Sequence, residues 1–183
     1  MPLLSDSLME RTLILFCHPA LETSRANRAL MEGVLGMEGV TFHDLYEEYP
    51  DFQIDIEREK DLVESHDRIV FQFPFFWYST PALMKEWFDV VLQYGWAYGA
   101  SGTALHGKKA KVVTTTGATY EAYCEAGHNR YTTDELLRPL EQTAVLCGME
   151  WQEPLVVYNA LHLDAGAMAK EVERYRNCLV GGS

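Results

Sequence analysis

The sequence has no C-x-x-C pair, no G-x-G-x-x-G run and no long hydrophobic segment, and each absence excludes a class of protein. Its four cysteines stand far apart, so neither a zinc knuckle nor a thioredoxin-type redox pair is present. The longest apolar stretch, 69–78, is interrupted by Gln72 and Pro74. It is too short to cross a bilayer, which takes about 20 apolar residues.

Positive charge is also scarce. Lys and Arg together number 15 against 27 Asp and Glu, which gives a formal net charge of -12. Long-range steering onto nucleic acid or an anionic membrane would be repulsive, so a nucleic-acid role is disfavoured. The first residues lack a basic stretch followed by an apolar one, so export is not predicted. Isolated free thiols favour a reducing, cytoplasmic location.

A length of 183 residues with 48% apolar side chains fits one soluble domain with one substantial core. The acidic, aperiodic start predicts a flexible N-terminal tail over 1–11. A single domain is predicted over 12–183.

Apolar runs of strand length alternate with helical periodicity along the chain. The predicted strands are 12–17, 40–45, 68–73, 111–116 and about 151–158. The predicted helices are 24–36, 57–65, 81–92, 133–147 and 165–179. Covering or connecting loops are predicted over 46–56, 94–109 and 119–131. This alternation predicts an α/β fold, a doubly wound five-stranded parallel sheet with helices on both faces.

The first candidate site follows the first strand, because ligands of doubly wound sheets bind beyond the carboxyl ends of strands. The loop 18–27 reads H-P-A-L-E-T-S-R-A-N and leads into a helix capped by Ser24. A helix N-terminus offers free N–H groups, to which Ser24, Arg25 and Asn27 add donors, and this favours a phosphate. The loop has no glycine, so a monophosphate fits better than a pyrophosphate. Alternatively, Ser24 only caps the helix and His18 bonds to backbone.

The second candidate site is the segment 73–81, F-P-F-F-W-Y-S-T-P, which has five aromatic residues in a row of six. These rings cannot all enter one core, so some are exposed or flank a flat ligand. The backbone of 75–78 would then reach the ligand edge. Alternatively, the rings form a dimer contact or a patch of the core. This interpretation and the ligand-binding one can both be true.

The third candidate site is the segment 114–128 after the fourth strand, T-T-T-G-A-T-Y-E-A-Y-C-E-A-G-H. Gly117 permits close backbone approach, and its small neighbours leave room for a ring. Tyr123 and His128 are candidate proton donors to a bound acceptor. Their alternative roles are a loop-packing tyrosine and an exposed histidine. The acidic residues of this loop and His128 lack metal-binding spacing, so no metal site is predicted.

Together the three segments predict a phosphate site, a ring-flanking turn and a shelf of small residues at the strand ends of one sheet. Flavin mononucleotide (FMN) needs these three features. Without a dinucleotide fingerprint, NAD(P)H is expected to dock transiently as a co-substrate.

These residues also resemble a known family. The segments C17-H-P, S24-R-A-N, 73–87 and T115-T-G117 are similar to the flavodoxin-like NAD(P)H:quinone oxidoreductases, over nearly all of 12–179. Y-P-D-F-Q-I-D-I at 49–56 and the G-W-A-Y-G segment from 95 resemble a narrower group. That group comprises the ancillary subunits of glutathione-regulated potassium-efflux systems.

The resemblance implies a homodimer with two flavin sites, which passes hydride from NAD(P)H to flavin and then to a quinone. FMN is expected, with FAD as the alternative. Carried over by position, the implied flavin contacts are His18, Ser24, Arg25, Ala26, Asn27, Phe75, Phe76, Trp77, Tyr78, Thr115, Thr116, Gly117 and Ala118. Tyr123 and His128 would act on the acceptor. His128 is one position out of register with the family's histidine, and Ala118 replaces a common glycine.

The resemblance leaves two further functions open. One is a regulatory subunit that activates a potassium/proton antiporter, with a structural or vestigial flavin site, held at the inner face of the cell membrane by that partner. The other is a one-electron flavodoxin carrier, which the substrate-admitting loops disfavour.

Overall fold

Six strands and six helices are formed within residues 10–180, the part of the chain that this computed structural model describes. The strands are β1 (Thr12–Phe16), β2 (Val40–Asp44), β3 (Arg68–Pro74), β4 (Lys109–Thr115), β5 (Glu150–Trp151) and β6 (Leu155–Val157). The helices are α1 (Arg25–Val34), α2 (Leu45–Glu48), α3 (Ile56–Glu64), α4 (Ala82–Val91), α5 (Thr133–Leu146) and α6 (Ala165–Val180). Short 3-10 turns cover Leu21–Thr23 and Tyr120–Ala122.

The strands are parallel and lie in the order β2-β1-β3-β4-β5. β5 and β6 share the position beside β4, where β5 pairs at Lys109 and β6 pairs from Val113. Pro154 lies between them and has no N–H to donate to a ladder. The predicted five-stranded parallel sheet with helices on both sides is confirmed, but the fifth strand is interrupted where the sequence analysis had expected one run.

Two apolar clusters cover the two faces of the sheet. Leu13 and Leu15 of β1 point into one cluster, which includes Trp87 of α4. Ile14 and Phe16 point into the other, which includes Tyr175 of α6. Because β1 is buried on both faces, it reads as an unbroken apolar run in the sequence.

The predicted tail over 1–11 falls mostly outside the described residues, which begin at 10. The carboxylate of Glu10 pairs with Arg68 and with Lys109 Nζ (2.7 Å). The backbone N–H of Arg11 donates to Asp67 (2.8 Å). The contacts of the domain therefore begin two residues before the predicted boundary.

The segment predicted as a covering loop, 46–56, is partly helical, because α2 occupies its start. Asp44 caps α2 by accepting from the N–H of Tyr46 at 3.0 Å, and Asp55 caps α3. In residues 10–180 no helix is both long and apolar enough to cross a bilayer.

Candidate functional site

A cavity of about 510 Å³ opens at the carboxyl ends of β1, β3 and β4. It is lined by residues 18, 23–27, 74–76, 115–117 and 160–161. The structure thus brings the three predicted segments together. The lining also includes Thr23, Pro74, Ala160 and Leu161, which the sequence analysis did not select.

None of the residues lining this cavity is acidic, although the chain carries a net charge of -12. Its ionisable lining groups are Arg25 and His18, and the first turn of α1 faces it with backbone N–H groups. This local electrostatic environment suits an anion, and the helix N-terminus is the natural place for it.

Asn27 ties the first loop to the sheet. Its Nδ2 donates to Ser24 Oγ (3.1 Å) and to Thr115 Oγ1 (3.0 Å), and the residue is only 2% exposed. The N–H of Asn27 also donates to Ser24 Oγ at 3.4 Å, so Ser24 caps α1 as predicted. Asn27 therefore fixes the loop 18–27 relative to β4 by its own contacts.

His18 is buried at the end of β1 and lines the cavity. Burial lowers its pKa below the ordinary 6.5, so the ring is neutral at neutral pH. The N–H of Ala20 donates to Nδ1 at 3.1 Å, which leaves the proton on Nε2. His18 therefore bonds to backbone, as the alternative interpretation expects, and it also lines the cavity.

The aromatic segment forms a two-residue hairpin. Phe76 and Ser79 exchange backbone hydrogen bonds of 3.1 and 3.0 Å, and the two central residues have φ of 50° and 63°. This left-handed turn places Trp77 at the tip, 92% exposed. Phe75 and Phe76 line the cavity, whereas Trp77 and Tyr78 do not.

The shelf after β4 is held by its neighbours on both sides. Thr115 O accepts from the N–H of Phe75 (2.9 Å), and Ala118 O accepts from Thr116 Oγ1 (2.8 Å). A Cβ at Gly117 would meet only Leu161 Cδ1, at an ordinary 3.6 Å. The protein itself therefore does not need a glycine at 117, and the missing side chain leaves room in the cavity. Ala118 does not line it.

The structure does not bring Tyr123 and His128 into this cavity. Tyr123 is buried behind Phe75, with ring centroids 6.3 Å apart, and lines a neighbouring cavity with Tyr158. Burial raises the pKa of Tyr123. His128 is exposed. The adjacent Asn129 instead reaches the hairpin by accepting from the hydroxyl of Tyr78 at 3.2 Å.

The wall that the sequence analysis missed is the loop 158–164, between β6 and α6. Its Asn159 N–H donates to Ala118 O, and its Ala160 N–H donates to Thr116 O, both at 2.9 Å. Arg25 donates to the carbonyl of Leu163. The loop carries no sequence motif, so only its position after a strand could have identified it as part of the site.

Metal ligands and two of the cysteines were further candidates for chemistry in the described part of the chain. Among residues 10–180, no group of three or more His, Cys, Asp or Glu is placed to hold a metal ion. Cys17 and Cys147 are buried, and burial raises the pKa of Cys17 to about 12. These thiols are inert packing groups at neutral pH.

The profile of the flavodoxin-like fold family matches residues 10–179. The chain belongs to this family. Its strand order and the site at the carboxyl ends of β1, β3 and β4 are those expected of a flavodoxin-like sheet.

Three relatives illustrate the range of this flavodoxin-like family. The glutathione-regulated potassium-efflux system ancillary protein KefG of Pectobacterium atrosepticum is 47% identical over 90% of each chain. General stress protein 14 of Treponema denticola, solved in complex with FMN, is 34% identical with a TM-score of 0.87, over 92% of this chain and 97% of its own. An NADPH-quinone reductase of P. pentosaceus is 31% identical with the same TM-score, over 94% and 99%.

Proposed function

We propose that this chain binds FMN in the cavity and transfers hydride from NAD(P)H to a quinone-type acceptor. The observation that carries the proposal is a single cavity formed by three parts. These are the N-terminus of α1, whose first turn has no acidic residue, the aromatic hairpin and the segment 115–117 with its glycine. Relatives of 31% to 34% identity that bind FMN or reduce a quinone with NADPH support it.

The residues of the cavity fit FMN in size and chemistry. The N–H groups of the first turn of α1 and the hydroxyl of Ser24 would hold the phosphate, with the Nε2 proton of His18 nearby. Phe75, Phe76 and the shelf at 115–117 would hold the ring edge. Bound FMN would supply two-electron chemistry by accepting hydride from NAD(P)H and giving it to the acceptor.

A homodimer is part of the proposal. The loops at this end of the sheet expose several large aromatic side chains, among them Trp77, Tyr120 and Tyr131. A second copy would cover such an aromatic surface. Within that assembly Trp77, Tyr78 and Ala118 complete the flavin surroundings, and Tyr123 and His128 stabilise charge on the acceptor.

The test is an absorbance spectrum of the purified protein after addition of FMN and removal of the excess. We expect a stoichiometric flavin band that bleaches with NADH or NADPH and returns with a soluble quinone. Absence of retained flavin, or a band that NAD(P)H does not bleach, would contradict the proposal. A stable blue semiquinone during stepwise reduction would instead favour the one-electron carrier.

A second function is favoured by the 47% identity to an ancillary protein of a potassium-efflux system. In this role the chain is a cytoplasmic regulatory subunit that sits at the inner face of the membrane through a basic partner protein. Potassium efflux measured with flavin-free protein separates the two functions. Activation that does not depend on flavin supports the regulator, whereas activation or turnover only with flavin supports the oxidoreductase.

A further inference from the structure

Two arginines of α1 brace the loops on either side of the phosphate end of the cavity. Arg25, which lines the cavity, donates to the carbonyl of Leu163, in the loop 158–164. Arg28, one turn later, donates to Glu22 O (2.6 Å) in the loop after β1. The Arg25 guanidinium thus closes a bridge between the start of α1 and a segment 138 residues away.

The far side of this bridge is held firmly by backbone contacts. The N–H groups of Asn159, Ala160 and His162 all donate to carbonyls at 2.9 Å. Asn159 adopts a left-handed φ of 54°. These constraints hold Leu161 at the cavity wall although it is 75% exposed, with its Cδ1 beside Gly117.

The position of the bridge matters because the phosphate of a bound flavin would lie close to it. A phosphate at the N-terminus of α1 would lie beside Arg25, and Leu161 lines the same cavity from the loop that Arg25 contacts. In FMN the molecule stops at that phosphate. In FAD the same phosphate continues into a second phosphate and an adenosine, which need an exit from the cavity beyond that phosphate.

We propose that the Arg25–Leu163 bridge and Leu161 select FMN against FAD by closing the exit that the adenosine half requires. This inference rests on the proposed flavin site. FAD entry would break a hydrogen bond from a charged donor and displace Leu161. Loss of such a hydrogen bond corresponds to a discrimination of about tenfold to a hundredfold.

The test is a fluorescence titration of the flavin-free protein with FMN and with FAD, which reads binding and not turnover. The measured quantity is the ratio of the FAD Kd to the FMN Kd. Arg25→Ala removes the bridge, and Leu161→Ala opens the wall without a change of charge. Arg25→Ala also removes a positive charge near the phosphate. This loss weakens the binding of both flavins, so it largely cancels in the ratio of the two Kd values.

Matched controls come from the same molecule. Arg176 donates to the carbonyl of Gly33 and so makes the same kind of bridge at the opposite end of α1. Leu146 is an exposed leucine on α5, outside the cavity lining. Arg176→Ala and Leu146→Ala should therefore leave the ratio at its wild-type value.

We expect the wild type to prefer FMN at least tenfold, and the ratio to fall about tenfold in Arg25→Ala and in Leu161→Ala. Equal affinity of the wild type for the two flavins, or an unchanged ratio in both variants, would overturn the inference. If Arg25→Ala fails to fold, Leu161→Ala alone decides. A wild type that binds neither flavin would instead overturn the proposed function.

Discussion

Buried between α3 and α4, the carboxylate of Glu59 accepts hydrogen bonds from His43 Nε2 (2.8 Å), Tyr49 OH (2.6 Å) and Trp87 Nε1 (2.8 Å). The cavity at the strand ends also gathers polar groups, but there a histidine ring proton and the first N–H groups of α1 face an opening. In the Glu59 cluster the protein satisfies its own polar groups. In the cavity it leaves donors for a ligand.

The two regions also use burial differently. Burial alone would raise the pKa of Glu59, but the hydrogen bonds and charge of His43, with the donors of Tyr49 and Trp87, outweigh it and lower that pKa. Burial lowers the pKa of His18, and nothing nearby reverses the shift. The Glu59 carboxylate, whose hydrogen bonds are all made within the protein, thus holds structural elements together. The neutral His18 ring makes one hydrogen bond through Nδ1 and can donate another from Nε2.

The largest effect is expected from Glu59→Leu, which leaves three buried donors without an acceptor. We expect a loss of about 3 to 5 kcal/mol in the free energy of unfolding, measured with urea. The remaining folded protein should bind FMN with unchanged affinity. Glu59→Gln keeps the shape of the side chain and one acceptor oxygen, so it should lower the free energy of unfolding by less. A Glu59→Leu stability equal to the wild type would show that the cluster does not hold the fold.

The next largest effect is expected in the cavity, from Ser24→Ala combined with Asn27→Ala. The double variant removes the α1 cap and the tie to Thr115, so FMN affinity should fall by about a hundredfold. Thr132→Ala, which removes the cap of α5, is the matched control and should leave FMN binding unchanged. Tight, stoichiometric flavin in the double variant would refute the phosphate-loop assignment.

Tyr123→Phe tests a hydroxyl that lies behind Phe75, at the edge of the cavity. If Tyr123 stabilises charge on the acceptor, quinone reduction should slow by about tenfold or more while FMN stays bound. Tyr158→Phe, one ring farther from Phe75, is the control for lost loop packing. Unchanged quinone kinetics in Tyr123→Phe would rule out this residue as a donor.

The smallest effect is expected from His18→Gln in flavin-free protein. Because folding lowers the pKa of His18, the unfolded chain takes up a proton first as the pH falls below 6.5. His18 therefore contributes stability above pH 6.5 that is lost on acidification through that window. The variant should lose less stability than the wild type over the same range, as measured by urea unfolding. A steeper loss in the variant would contradict the assigned direction.

Much of the fold and part of the site could be predicted because they have local signatures. Continuous apolar runs marked β1 and β3, since strands buried on both faces show no alternation. Ser24 before a helix predicts an N-cap, and Gly117 after a strand predicts a place of close backbone approach, so both can be recognised from neighbouring residues alone. These signals found the two ends of the cavity.

Other parts depend on contacts between distant residues. The left-handed turn at Trp77 and Tyr78 has neither glycine nor asparagine to announce it. The loop 158–164 becomes a wall only through its bonds to Thr116, Ala118 and Arg25. The recessed position of Tyr123 likewise follows from packing against Phe75.

The break at Pro154 also shapes how copies of this protein can associate. It divides one edge of the sheet into β5, of two residues, and β6, of three. Runs this short offer too few free backbone groups to template strand addition, so this border resists the edge-to-edge joining that seeds aggregates. Any specific assembly on that side of the sheet must therefore use side chains and loops.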